Sequence, residues 1–203
     1  MFNILLSSIG GCGSTNLFNF ISKHKNTNPN NFHEGSSPYK HSMYPPTEKE
    51  IEKAVFVIGN VYNSVISLLS DEYLDKKKTI PCINSTHLLN KGLPPIRMPI
   101  QEYFHRKNDL YEIEKQITNW INANVHYDIL IIRGEKLYDS KTRDKIFSFL
   151  DLPVSLKTSY PSQKKRKSNY ENYPFKNDLV LMYSEAQKLV ESINDYVVID
   201  KKT

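Results

Sequence analysis

The stretch FNILLSSIGGCGSTNLFNFI, residues 2–21, joins a short apolar run to a small-residue loop and then to a helix start. FNILL reads as a first strand, and Leu17, Phe18 and Ile21 give the following helix one apolar face. Between them Gly10, Gly11 and Gly13 carry no Cβ, so the backbone can take positive φ and approach a ligand closely. Consecutive N–H groups in such a turn can converge on an anion, and Ser14, Thr15 and Asn16 stand where a helix N-terminus adds partial positive charge. Two readings stand side by side: a cradle for phosphate or sulfate, or a tight strand-to-helix connection with Ser14 as N-cap. A Walker A loop is excluded, because the position directly after the last glycine must be Lys and here is Ser14.

Outward from this loop the chain repeats the strand-then-helix pattern. AVFVIGN, 54–60, and YDILIIR, 127–133, are continuous apolar runs ended by glycine, the pattern of strands buried on both faces. Helical spacing follows each of them, in Val61, Val65, Leu68 and Leu69, and in Ile146, Phe147 and Leu150. Further helices are expected at Leu110, Ile113, Ile117, Trp120 and Ile121, ending around Asn124, and at Leu179 to Ile193, with YVVID, 196–200, as a closing strand. The alternation predicts an α/β fold over 1–203, a single domain with three layers, α/β/α, around a central parallel sheet. Residues 26–47, 79–101 and 153–175 are rich in Pro, Gly, Ser and Asn and are expected to be irregular.

Composition narrows the function. With 39% hydrophobic and 24% charged residues the chain is an ordinary globular protein, and its longest apolar runs fall far short of the roughly 20 residues of a membrane span. FNILL is too short for a signal-peptide core and lacks a basic lead, and the two cysteines make no disulfide framework, so a cytoplasmic location is expected. A net charge of +5 is modest for a nucleic-acid binder and favours small anionic ligands. The scattered histidines and the well-separated Cys12 and Cys82 point to no metal site.

Three stretches together resemble the nucleotide-dependent sulfotransferases, which use 3′-phosphoadenosine-5′-phosphosulfate as sulfuryl donor on a P-loop NTPase-like fold. GCGSTNL, 11–17, is similar to the family's 5′-phosphosulfate loop, with Gly11 where the family has Lys or Arg. KAVFVIGNVYNSVISLL, 53–69, looks like its 3′-phosphate segment, with Ser67 kept and Gly59 at the position of the family's Arg. Trp120, YDILIIRGEKL at 127–137 and FSFLDLP at 147–153 look like the family's tryptophan, strand, glutamate and Phe-Leu-x-Leu-Pro run. Arg166, Lys167 and Ser168 resemble the basic motif that closes over the 3′-phosphate, against the plainer reading of KKRK, 164–167, as a solvated surface run.

The resemblance implies that Gly10, Gly11, Cys12, Gly13, Ser14, Thr15, Asn16, Ser67, Arg166, Lys167 and Ser168 bind the donor. Lys40 and His41 stand where the family's Lys-x-His-x-Pro segment supplies a sulfate-contacting lysine and a base; here the two are adjacent and the proline follows at Pro45. His33 and His105 are weaker candidates. In-line transfer to a hydroxyl of a carbohydrate or small metabolite needs positioning, cations and a base near the acceptor, without a metal. With Gly11 and Gly59 in place of two cations, Lys40, Arg166 and Lys167 are expected to supply the positive charge. Two alternatives remain: a nucleotide-binding module that lost catalysis, and a small P-loop kinase, against which the missing Walker lysine counts.

Overall fold

The computed structural model describes residues 2–29, 38–69, 85–94, 100–163 and 169–201. Strands β1 (Ile4–Ser8), β2 (Lys53–Ile58) and β3 (Asp128–Arg133) pair in parallel, and β4 (Tyr196–Ile199) closes the sheet antiparallel to β3. The protein is therefore α/β with a four-stranded, mostly parallel open sheet. The closing strand departs from the wholly parallel expectation. The connection from β3 passes through both α6 and α7, and the chain leaves α7 at the end of the sheet from which β4 runs back along β3.

Seven α-helices are present among the described residues: α1 (Thr15–Ser22), α2 (Val61–Leu68), α3 (Ser85–Asn90), α4 (Ile100–His105), α5 (Ile113–Ile121), α6 (Ser140–Phe149) and α7 (Lys176–Ser192). Side chains alternate across a strand, so Lys53 and Phe56 of β2 point to opposite faces of the sheet. Phe56 stacks on Trp120 of α5, with centroids 4.2 Å apart. Lys53 lies over the Phe149 ring of α6 and pairs with Asp151 at 2.5 Å. Helix α1 joins α6 through Phe20 and Phe147, while α2 and α5 pack against α7. Helices thus cover both faces, an arrangement compatible with α/β/α layering, and this double burial is why β2 and β3 read as unbroken apolar runs.

The outer edge of β1 is closed by the chain that follows α1. Ile4 N–H donates to the Asn26 carbonyl at 3.1 Å. Leu6 then exchanges both its groups with one side chain: its N–H donates to Asn28 Oδ1 at 2.6 Å, and Asn28 Nδ2 donates to its carbonyl at 3.1 Å. Ser8 N–H donates to the Lys40 carbonyl at 2.8 Å. A buried amide thus continues the ladder where no strand does, and the edge presents no free row of donors. The chain leaves β1 over the α6 face, touches this outer edge, and returns over the α5 face, where Trp120 Nε1 donates to the Ser42 carbonyl at 3.1 Å, to reach β2 on the inner side. Direction and face reverse together, so the crossovers keep one hand. Such a reversal point, at the carboxyl end of β1, is where open α/β sheets form their ligand crevice.

Three local expectations are corrected. Ser7 and Ser8 belong to β1, so the connecting loop shortens to residues 9–14. Part of the stretch 79–101 is helical, as α3 and the start of α4, six residues each and too short for periodicity to register. Helix α5 begins only at Ile113, because Glu112 is left-handed at φ 47° and Asp109 caps the helix by accepting from Tyr111 N–H at 3.0 Å and Ile113 N–H at 2.6 Å.

Candidate functional site

The glycines of the loop divide by what surrounds them. Gly10, Gly11 and Gly13 all have positive φ, of 85°, 61° and 83°. A Cβ on Gly10 would lie 2.6 Å from His87 Nδ1, and one on Gly11 would lie 2.4 Å from the Ser64 carbonyl oxygen, whereas one on Gly13 would meet nothing within 4 Å. Two more glycines serve the same loop from the neighbouring strand ends. A Cβ on Gly59 would sit 2.9 Å from Cys12 Cβ, and one on Gly134 would sit 2.6 Å from the Cys12 carbonyl. Cys12 is therefore a wedge seated over β2 and β3, its thiol 3.5 Å from the Val57 carbonyl. Gly10 and Gly11 face protein, and the open side of the loop is Gly13 with the first turn of α1. Gly11 and Gly59, the positions where the resemblance expects cations, have no room for any side chain.

Ser14 occupies the N-cap position of α1 but lies in the helical region and makes no side-chain capping bond. Its hydroxyl donates instead to Ser8 Oγ at 3.3 Å. The first-turn N–H groups, which a cap would have satisfied, thus lie at the open side with Thr15 and Asn16. Asn16 also meets the Tyr138 hydroxyl.

Lys40 and His41, each only 2% exposed, reach the carboxyl end of β1. His41 Nδ1 is 2.9 Å from the Ser8 carbonyl and 3.3 Å from Ser8 Oγ. A carbonyl oxygen only accepts, so Nδ1 carries the proton and Nε2 holds the lone pair. Ser8 Oγ then receives from both Ser14 and His41, an arrangement that does not activate Ser8 as a nucleophile. The His41 ring lies 4.0 Å from that of His87. Burial holds His41 well below the usual histidine range, with His87, Lys40 and Lys91 adding like-charge opposition. Burial also lowers His87 to about 3 and Lys40 to about 8, Lys40 being partly restored by Cys12. Lys91, likewise lowered to about 8 by burial, donates to the Tyr111 carbonyl at 2.6 Å and is drawn back up by Asp109 and Glu112.

The structure brings together Gly10, Gly11, Cys12, Gly13, Ser14, Lys40 and His41, and sets Thr15 and Asn16 at the mouth. Ser67 is half-buried on α2, the helix that meets Gly10 through Leu68 and Gly11 through Ser64. Arg166, Lys167, Ser168 and His33 lie outside the described residues, and His105 is exposed on α4. Sequence reasoning missed Ser8, Ser64 and His87. Ser8 was hidden by the assignment of Ser7 and Ser8 to the loop, and the apolar pair Leu88-Leu89 after His87 was the one available signal for α3.

A groove of about 380 Å³ lined by Asp109, Glu112, Glu114, Lys115, Thr118 and Asn119 runs along α5 and includes no loop residue. Among the described residues no group of three or more His, Cys, Asp or Glu is placed to hold a metal ion, and no helix is long and apolar enough to cross a membrane. Comparison with protein-family models, curated proteins and solved structures found no match to this chain.

Proposed function

We propose that this chain is a sulfotransferase of P-loop-like fold, moving a sulfuryl group from 3′-phosphoadenosine-5′-phosphosulfate to a hydroxyl of a carbohydrate or small metabolite. The observation that carries the reading is the burial of Lys40 and His41 against Ser8, next to the open first turn of α1. Adjacent residues tend to point apart, yet both are drawn to one strand end, where burial disfavours the Lys40 charge and a bound anion would favour it.

In this reading the first-turn N–H groups of α1 and the Lys40 ammonium face the donor's sulfate and 5′-phosphate. The acceptor oxygen attacks sulfur as the bond from sulfur to the phosphate oxygen breaks. His41 Nε2 takes the acceptor proton, and the charge left on the phosphate oxygen faces Lys40 and the helix N-terminus. A weakly basic imidazole suffices because a loose transition state releases the acceptor proton late, and the lowered value keeps the lone pair available throughout the neutral range.

A second reading, a module that binds the nucleotide without transferring sulfate, is favoured by the closure of Gly11 and Gly59 to any cationic side chain. Thermal shift separates the ligand classes, since a ligand at 100 times its Kd adds about 2.7 kcal/mol. Stabilisation by adenosine 3′,5′-bisphosphate but not by ATP with magnesium is expected. Transfer of labelled sulfate then selects the enzyme over the binding module, and indifference to both nucleotides removes both readings.

A further inference from the structure

We infer that α5 clamps the backbone of His41 and that Gln116 is the positioning residue of the clamp. Gln116 Nε2 donates to the His41 carbonyl at 3.2 Å and to the Ser42 carbonyl at 2.9 Å. Trp120 Nε1, one turn on, donates to the same Ser42 carbonyl at 3.1 Å, and Asn119 Nδ2 donates to the Met43 carbonyl at 3.2 Å. Three consecutive carbonyls of a segment with no strand partner are thus held by side chains at i, i+3 and i+4, which share one helix face. The base of the clamp is the sheet itself, because Trp120 stacks flat on Phe56 of β2.

Chemistry settles which way the Gln116 amide points. Both carbonyls only accept, so Nε2 must face them, and Oε1 is left on the far side, buried without a hydrogen-bond partner among the described residues. The cost of one unpaired acceptor is set against the pairing of two backbone carbonyls, and the place of that pairing, at the residue whose ring meets Ser8, is what gives the glutamine a positioning role.

The two ends of His41 are then held by different elements. Gln116 grips its carbonyl from α5, while its ring donates to the Ser8 carbonyl of β1 at 2.9 Å and lies against His87. The Lys40 carbonyl, bonded to Ser8 N–H and Ser7 Oγ, anchors the chain just before His41, and Gln116 fixes the carbonyl just after it, so the clamp completes the backbone position from which Nδ1–H meets the Ser8 carbonyl and Nε2 keeps the lone pair. The orientation stands on these contacts alone; its consequence for turnover rests on the sulfuryl-transfer reading.

The test is Gln116→Met, which keeps the volume and removes both donors, with Gln116→Glu as a second variant of nearly equal size and Ile117→Val as a control that loosens α5 without touching residues 41–43. Nitrogen-15 NMR of the histidine rings at pH 7.5 reads the outcome without an activity assay. The wild type and Ile117→Val should show His41 protonated at Nδ1 and bare at Nε2, and both Gln116 variants should show a mixture of tautomers. In the sulfate-transfer assay the same variants should lose turnover on the order of 100-fold with the donor KM unchanged. Retention of the Nδ1–H pattern in whichever Gln116 variant folds, or its equal loss in Ile117→Val, overturns the inference. A tautomer change confined to the Gln116 variants in a protein that transfers no sulfate upholds the clamp and removes the transferase reading.

Discussion

Replacing Lys40 by methionine should stabilise the protein while abolishing its function. Lys40 is 2% exposed, and burial lowers its amino group from 10.5 to about 8. In the unfolded chain the ordinary value returns, so at pH 7, where both states are protonated, folding carries the full penalty of burying the charge, about 3 kcal/mol. The folded value lies below the unfolded one. Between about 8 and 10.5 the unfolded chain therefore holds the extra proton, and the penalty fades as pH rises through that window. Methionine has a similar shape and no charge, and the hydrogen bonds from Ser8 N–H and Ser7 Oγ go to the Lys40 carbonyl, which the substitution leaves in place. With a urea dependence of roughly 2 kcal/mol/M, the unfolding midpoint at pH 7 should rise by about 1.5 M, and the gap between variant and wild type should close by pH 10.5. Lys40→Met should also lose the stabilisation by adenosine 3′,5′-bisphosphate. A variant less stable than wild type at pH 7, or a gap unchanged between pH 7 and pH 10.5, would refute the assignment of Lys40 as a buried charge kept for a ligand.

Three further outcomes are expected. Gly11→Ala, with positive φ and a backbone carbonyl 2.4 Å from its new atom, should cost about 3–4 kcal/mol in urea unfolding, whereas Gly13→Ala, equally strained but open, should cost about 1–2 kcal/mol. Asn28→Ala should lose about 2–3 kcal/mol, because both polar groups of Leu6 become buried without partners; a loss under 1 kcal/mol would mean that water replaces the amide. The pH–rate profile of sulfate transfer should show no fall near 6.5, since His41 titrates well below it, and should decline as pH passes through about 8 and Lys40 loses its proton. A profile that instead rises through pH 6.5 would point to a histidine in an ordinary environment.

The run that most resembled a family signature has a local physical account. After α6, Asp151 is left-handed at φ 50° and Leu152 N–H donates to the Phe147 carbonyl at 2.9 Å, the bonding of a helix stop, while Asp151 pairs with Lys53. Phe-Leu-x-Leu-Pro is thus legible as a helix terminus that also fastens α6 to β2. Trp120 is likewise structural through its stack on Phe56, and it gains a second task only because its indole N–H meets Ser42. Neither feature distinguishes one α/β chemistry from another, so the functional reading rests on residues 8–16, 40 and 41.

By itself the sequence determined the strands, the long helices and the glycine loop. Continuous apolar runs must be covered on both faces, helical spacing demands one buried side, and glycine takes φ of 61° to 85° where the loop turns without the steric cost that a Cβ adds. Tertiary structure alone decided the rest, because the deciding contacts join residues far apart along the chain. Asn28 completes β1 from 22 positions on, and Lys40 and His41 meet Ser7 and Ser8 across 33. Cys12 needs glycines at the ends of two later strands, and Gln116 reaches His41 across 75 positions. No local pattern encodes such pairings. They follow from the reversal of chain direction at β1, which lays the returning segment between the strand end and α5.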